Sequence, residues 1–136
     1  MSVDSTNFEG LDRWAVEPRR VEKPWGWELI WADSELYVGK ILFVRAGHSL
    51  SLQFHNEKDE SWYVEAGRAR LELGDAGQGA LNREVIGPGA CFRFRPGTVH
   101  RVTAVEDTTI FEVSTPHLDD VVRLEDRYGR AGTNEP

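Results

Sequence analysis

Before His117 no apolar run keeps a 3.6-residue period long enough for a helix, and turn-forming clusters interrupt the chain every few residues. The breakers are Arg45-Ala46-Gly47, Glu57-Lys58-Asp59, the glycine-rich stretch 74–79, Gly87-Pro88-Gly89 and Pro96-Gly97. The runs between them read as strands: Trp27–Trp31, Tyr37–Val44, Ser49–His55, Ser61–Glu65, Arg68–Leu73, Arg83–Ile86, Ala90–Phe94, Arg101–Ala104 and Thr108–Ser114. Many short strands separated by Gly and Pro turns point to a sandwich or barrel, so the expected fold is all-β.

With 136 residues, 40% of them hydrophobic and 29% charged, the chain can bury one ordinary core and is not compositionally disordered. We read 1–19 as an N-terminal arm, 20–130 as the domain and 131–136 as a tail, with the fraying expected to begin at Arg130. The charge balance, 16 Lys and Arg against 23 Asp and Glu, leaves a net charge of -7 and no basic stripe. Nucleic acid and anionic membrane surfaces are therefore not expected partners. No apolar run approaches the roughly 20 residues that span a bilayer, and the start MSVDSTNFEG lacks the order of a secretory signal, so the expected location is the cytoplasm. The single Cys91, between Ala90 and Phe92, reads as a buried, inert thiol. Trp14, Trp25, Trp27 and Trp31 read as core and edge packing.

The chemistry is concentrated in Gly47 to Trp62. Residues two apart on a strand share a face, which sets Ser51, Gln53 and His55 against Leu50, Leu52 and Phe54. After the turn at Glu57 to Asp59 the chain reverses, and Glu60 opens the next strand beside His55. A carbonyl oxygen, an imidazole and a carboxylate are plausible ligands for one divalent cation. A second polar point is His100, delivered by the tight turn Pro96-Gly97-Thr98. Two further charges sit on barrel strands, Lys40 in an otherwise apolar run and Glu112 between Phe111 and Val113. A charge inside a barrel must be paired or bound to a ligand. Arg93, Arg95 and Arg101 surround the His100 turn and form a cluster able to hold a phosphate.

Gly47, His55, Glu60 and Gly67, followed by Gly89, Gly97 and His100, resemble the two motifs of the cupin superfamily, which implies a small jelly-roll barrel around one metal ion. Lys23-Pro24-Trp25-Gly26, the run Ser49 to His55, Glu60 with Trp62, Gly97 to His100, Glu112-Val113 and the run Val122 to Arg130 are similar to one branch. That branch is the C-terminal phosphomannose isomerase domain of the bifunctional mannose-6-phosphate isomerase and mannose-1-phosphate guanylyltransferase enzymes. The resemblance assigns the metal to Gln53, His55, Glu60 and His100; zinc, manganese, nickel, cobalt and iron are not distinguished. It implies aldose–ketose isomerisation of a sugar or sugar phosphate through an enediol, with Glu112 as base and Lys40 polarising the carbonyl. Cupin relatives commonly dimerise, which makes a homodimer the implied assembly. No Gly-rich phosphate-cradling loop is present, so guanylyltransferase activity is not expected. The pattern departs from the family at Asn56-Glu57-Lys58, Arg95, Ala104 and Ser114, which bears on the substrate more than on the metal. An oxygenase with iron in the same site, or a sugar-binding cupin without turnover, are the alternative functions.

Overall fold

The structure is a computed structural model and describes residues 10–133; residues 1–9 of the expected arm and 134–136 of the tail lie outside the described residues. The described chain forms eleven strands: β1 (Arg19–Lys23), β2 (Gly26–Asp33), β3 (Val38–Val44), β4 (Leu52–Phe54), β5 (Glu60–Ala66), β6 (Ala69–Asp75), β7 (Asn82–Ile86), β8 (Cys91–Phe94), β9 (Thr98–Ala104), β10 (Thr108–Ser114) and β11 (Val122–Glu125). They build two sheets, in the orders β1-β2-β3-β10-β5-β8 and β11-β4-β9-β6-β7, and the named strand pairs are antiparallel. This is the expected all-β jelly-roll barrel of a single domain. Among the described residues no helix is long and apolar enough to cross a membrane.

Strand parity explains how the barrel acquires a site. In β3, β5, β9 and β10 every second side chain points inward, and along each strand that inward row changes from polar to apolar. Lys40 gives way to Leu42 and Val44, Glu60 to Trp62 and Val64, His100 to Val102 and Ala104, and Glu112 to Ile110, all buried. Register aligns these switches: Glu112 stands opposite both Lys40 and Trp62, and Ile110 opposite Leu42 and Val64. One end of the interior is thus a packed core containing Trp25, Leu42, Val44, Trp62, Phe94 and Ile110, while the other is polar.

Several expectations are corrected. Ser49–His55 is not one strand: Ser49 makes an isolated bridge to Thr103, and regular pairing is confined to Leu52–Phe54. β1 and β11 were not expected: β1 is almost wholly charged, and the alternation of β11, VRLE, is only four residues long; backbone pairing to β2 and to β4 holds them. Cys91 is exposed rather than buried, since its outward parity on β8 places it on the outer sheet surface. Trp25 and Trp62 are core residues, but Trp14 and Trp31 are 65% and 50% exposed. Arg130 is buried rather than frayed, because the Asp126 carboxylate accepts from its Nε at 2.9 Å and its Nη2 at 3.0 Å.

Candidate metal centre

Three strands deliver the metal-facing residues. Gln53 lies on β4 in register with His100 on β9, His55 follows the end of β4, and Glu60 opens β5. His55, Glu60 and His100 are 4%, 2% and 1% exposed, and each offers a ligand atom within 4.8 Å of the other two. The tautomers follow from their partners. His100 Nδ1 donates to the carbonyl of Thr98 at 3.0 Å, and His55 Nδ1 donates to the carbonyl of Asp120. The Nε2 of each ring faces Glu60, at 3.2 Å for His55 and 3.5 Å for His100. Neither Nε2 makes a hydrogen bond, and the Oε2 of Glu60 makes none of good geometry. Three buried ligand atoms converging within 4.8 Å of one another suit a cation, and carbonyl groups that orient the far ring nitrogens are what imidazole ligands require. Gln53 lines the same cavity, its Oε1 accepting from the Ser51 hydroxyl at 2.6 Å.

Lys58, which reads in sequence as a solvated turn residue, is buried with its Nζ 2.9 Å from Glu60 and 3.3 Å from Glu112. Burial alone would depress its ammonium, but Glu112 and Glu60 outweigh it and hold it above the ordinary lysine range. Reciprocally, burial would raise the Glu60 carboxyl, and Lys58 with the two imidazoles keeps it well below its usual value. Glu112 accepts from the Trp62 indole at 3.2 Å.

The turn that carries Lys58 is pinned from a distance. The Asp120 carboxylate accepts from the backbone amides of Asn56 at 3.1 Å, Glu57 at 2.7 Å and Lys58 at 2.9 Å. Burial opposes its charge, yet these amides hold the carboxyl below the ordinary aspartate value. Asp120 was not read from the sequence; it lies 65 residues from His55, and no local pattern joins the two.

A cavity of about 100 Å³ is lined by Gln53, His55, Glu60, Glu112 and Lys40, together with Lys58. The Lys40 ammonium is not beside Glu112 but 3.3 Å from Glu28. Arg93, Arg95 and Arg101 do not line this cavity. Arg93 is exposed and donates to Asp59 at 3.1 and 2.6 Å, while Arg101 donates twice to Glu72, at 3.1 and 3.0 Å, and once to Glu125. Arg95 is exposed.

Known proteins resemble this chain to different degrees. The chain is 35% identical over 116 residues to the mannose-1-phosphate guanylyltransferase ManC of Salmonella typhimurium, covering 82% of this chain and 23% of that protein. A mannose-1-phosphate guanylyltransferase of Escherichia coli is 33% identical over 117 residues, with the same two coverages. The chain thus spans about a quarter of the length of these curated relatives. Among solved structures, the capsular polysaccharide assembling protein CapF from Staphylococcus aureus superposes with a TM-score of 0.72 at 11% identity, over 83% of this chain and 33% of that one. An oxalate decarboxylase of Bacillus subtilis, described with Mn(II) centres, gives 0.65 at 21% identity over 77% and 29%. These two likenesses bear on the cupin fold alone. The family model described as mannose-6-phosphate isomerase C-terminal matches residues 12–126, and with most of its length inside that match the chain belongs to this family.

Proposed function

We propose that the chain holds one divalent metal ion through Gln53, His55, Glu60 and His100 and interconverts an aldose phosphate and its ketose, of the mannose 6-phosphate and fructose 6-phosphate type, through an enediol. The observation that carries this reading is the meeting of two buried imidazoles and a buried carboxylate whose ligand atoms lie within 4.8 Å of one another. A divalent ion there would supply Lewis acidity and hold adjacent sugar oxygens. Family membership supplies the reaction class.

The remaining chemistry belongs to side chains of this chain. Glu112, a buried carboxylate on the cavity wall, takes the proton from C2 of the aldose and returns it to C1 while the O2 hydroxyl proton passes to O1, which leaves a ketone at C2 and an alcohol at C1. The Trp62 indole fixes the orientation of that carboxylate. Lys58, touching Glu60 and Glu112 together, sets a positive charge where the oxyanion develops. We therefore give Lys58 the part that the sequence suggested for Lys40, whose ammonium is engaged by Glu28. Closure of the apolar half of the barrel behind the site limits water.

The test is metal analysis joined to turnover. Purified protein should bind about one divalent ion per chain, and His55→Ala and His100→Ala should each lose it while retaining their β-sheet circular dichroism. Metal-loaded wild type should form fructose 6-phosphate from mannose 6-phosphate, and chelated protein should not. Full occupancy in both variants overturns the metal assignment. Absence of turnover with zinc, manganese, cobalt, nickel and iron overturns the isomerase and leaves a binding cupin, unless oxygen uptake with iron reveals an oxygenase.

A further inference from the structure

The two sheets differ in what they turn outward. On the five-stranded sheet the outer face is charged, as a face toward water should be: Glu125 of β11, Arg101 of β9, Glu72 of β6 and Arg83 of β7 form a ladder of ion pairs at 3.2, 3.0 and 3.5 Å. On the six-stranded sheet the corresponding row is apolar. Register sets Leu29, Ile41, Phe111, Tyr63 and Cys91 in one line across β2, β3, β10, β5 and β8. Parity turns this line outward, because Leu42, Glu112 and Trp62, one residue along, are the buried ones. To one side of it Trp27 stacks on Phe43 with ring centroids 5.4 Å apart. To the other, the Trp31 ring lies over Gly39, where a Cβ would come within 2.8 Å of it, and Gly39 is in register with Val113. Trp31, Tyr63, Phe111, Val113 and Cys91 are all exposed. Charge enters at the margins, where Arg93 of β8 is paired with Asp59, Arg20 of β1 is paired with Glu22, and Glu65 stands near the end of β5.

A sheet that is apolar on both sides is built to be covered on both. We propose that the outer face of the six-stranded sheet is the interface of a two-fold dimer, its occupant being the same face of a second copy of this chain. Area and charge select that occupant. At about 4.8 Å between strands and about 3.3 Å per residue, β2, β3, β10, β5 and β8 present roughly 500 Å² in the plane of the sheet. Two such faces cover about 1,000 Å² before side-chain relief is counted, the size that separates a specific interface from incidental contact. A chain of net charge -7 repels its own copies. Self-association therefore needs a face without charge, and a two-fold contact pairs one patch with itself. The row from Leu29 to Cys91 meets both conditions. Glu112 points to the opposite side of the sheet from Phe111 and Val113, so the interface leaves the cavity untouched and the proposal is independent of what the cavity turns over.

The experiment is sedimentation equilibrium of the full chain. Wild type should sediment as a dimer at micromolar concentration. Phe111→Arg and Val113→Asp each bring like charges together in a desolvated contact and should raise the dimer dissociation constant at least about a hundredfold. Both positions are exposed in the single chain, so both variants should keep the β-sheet circular dichroism of wild type. Val85→Arg, at an exposed position of β7 on the other sheet, should leave the dimer intact. The single cysteine gives a reading that needs no variant, since Cys91 ends the apolar row. Its thiol should react with an aromatic disulfide reagent faster after dilution to monomer than in concentrated solution. Wild type that stays monomeric, a dimer that survives both Phe111→Arg and Val113→Asp, or thiol reactivity independent of concentration overturns the proposal. Shielding of Cys91 in a monomer would assign the face to another segment of the same chain and overturns it equally.

Discussion

Asp120 holds two parts of the site at once, its carbonyl fixing the His55 ring and its carboxylate the turn that carries Lys58. Asp120→Asn keeps the size but removes the charge that makes those amide contacts strong. We expect it to lower stability near neutral pH by about 1–2 kcal/mol and metal affinity by about tenfold. The pH dependence has a definite sign. The native carboxyl lies below its ordinary value of 3.8, so its stabilisation is full above that value and disappears as pH falls through the native one. Denaturant unfolding of wild type and variant should therefore diverge near neutrality and converge as pH falls below 3.8 through the native value. A gap constant over that range would place the effect elsewhere. Residues such as His55 and Glu60 could be read from spacing because strand parity is local. Asp120 and Lys58 could not: a lysine in a turn reads as solvated, and a contact across more than sixty residues leaves no periodicity.

The elements show the same division. Strands with apolar alternation or clear glycine breakers were visible, whereas β1, with the sequence RRVEK, is written almost wholly in charge. Its conformation comes from pairing with β2, not from side-chain pattern. On β10 the usual rule is reversed, since Glu112 and Ser114 are buried while Phe111 and Val113 are 41% and 57% exposed. Apolar-inside reasoning misleads wherever an interior is built for chemistry. Turn glycines differ in what they carry. Gly67 joins β5 to β6 with φ of +90°, and a Cβ there would lie 2.2 Å from the carbonyl oxygen of Asp107 and 2.7 Å from the Cα of Thr108. Gly89 has nearly the same φ, +91°, with nothing within 4 Å. Gly67→Ala should cost at least about 3 kcal/mol, and Gly89→Ala only about 1–2 kcal/mol. Equal losses in urea unfolding would show that backbone conformation alone, not the approach of β10, governs the hairpin.

For the whole molecule, folding and ligand occupancy are linked. The polar end brings Glu60, Glu112, Lys58 and two imidazoles out of water, and their mutual contacts leave buried acceptors unmet. An ion that binds only the folded chain adds stability by mass action, about 2.7 kcal/mol at a hundredfold excess over its Kd. For a chain of this size that corresponds to a rise in Tm of roughly 10 °C. Scanning calorimetry with added metal should show it, and excess chelator should reverse it. A Tm indifferent to every divalent ion tested would mean that the cluster is a closed ion-pair network. The barrel itself was legible because turns and parity specify it; which half of its interior would be polar was legible only at the motif positions.

Strands β3, β5, β9 and β10 serve both the site and the core, and the change occurs along the inward row of each. The barrel is therefore divided by depth rather than by element: Val44, Val64, Val102 and Ile110 secure the shape, and Lys40, Glu60, His100 and Glu112 are read by whatever enters. Substituting only the inward residues of the polar half would exchange one chemistry for another while the strands keep their partners, register and packing. In such a scaffold new catalysis is written as a handful of alternate letters in a text whose grammar stays unchanged.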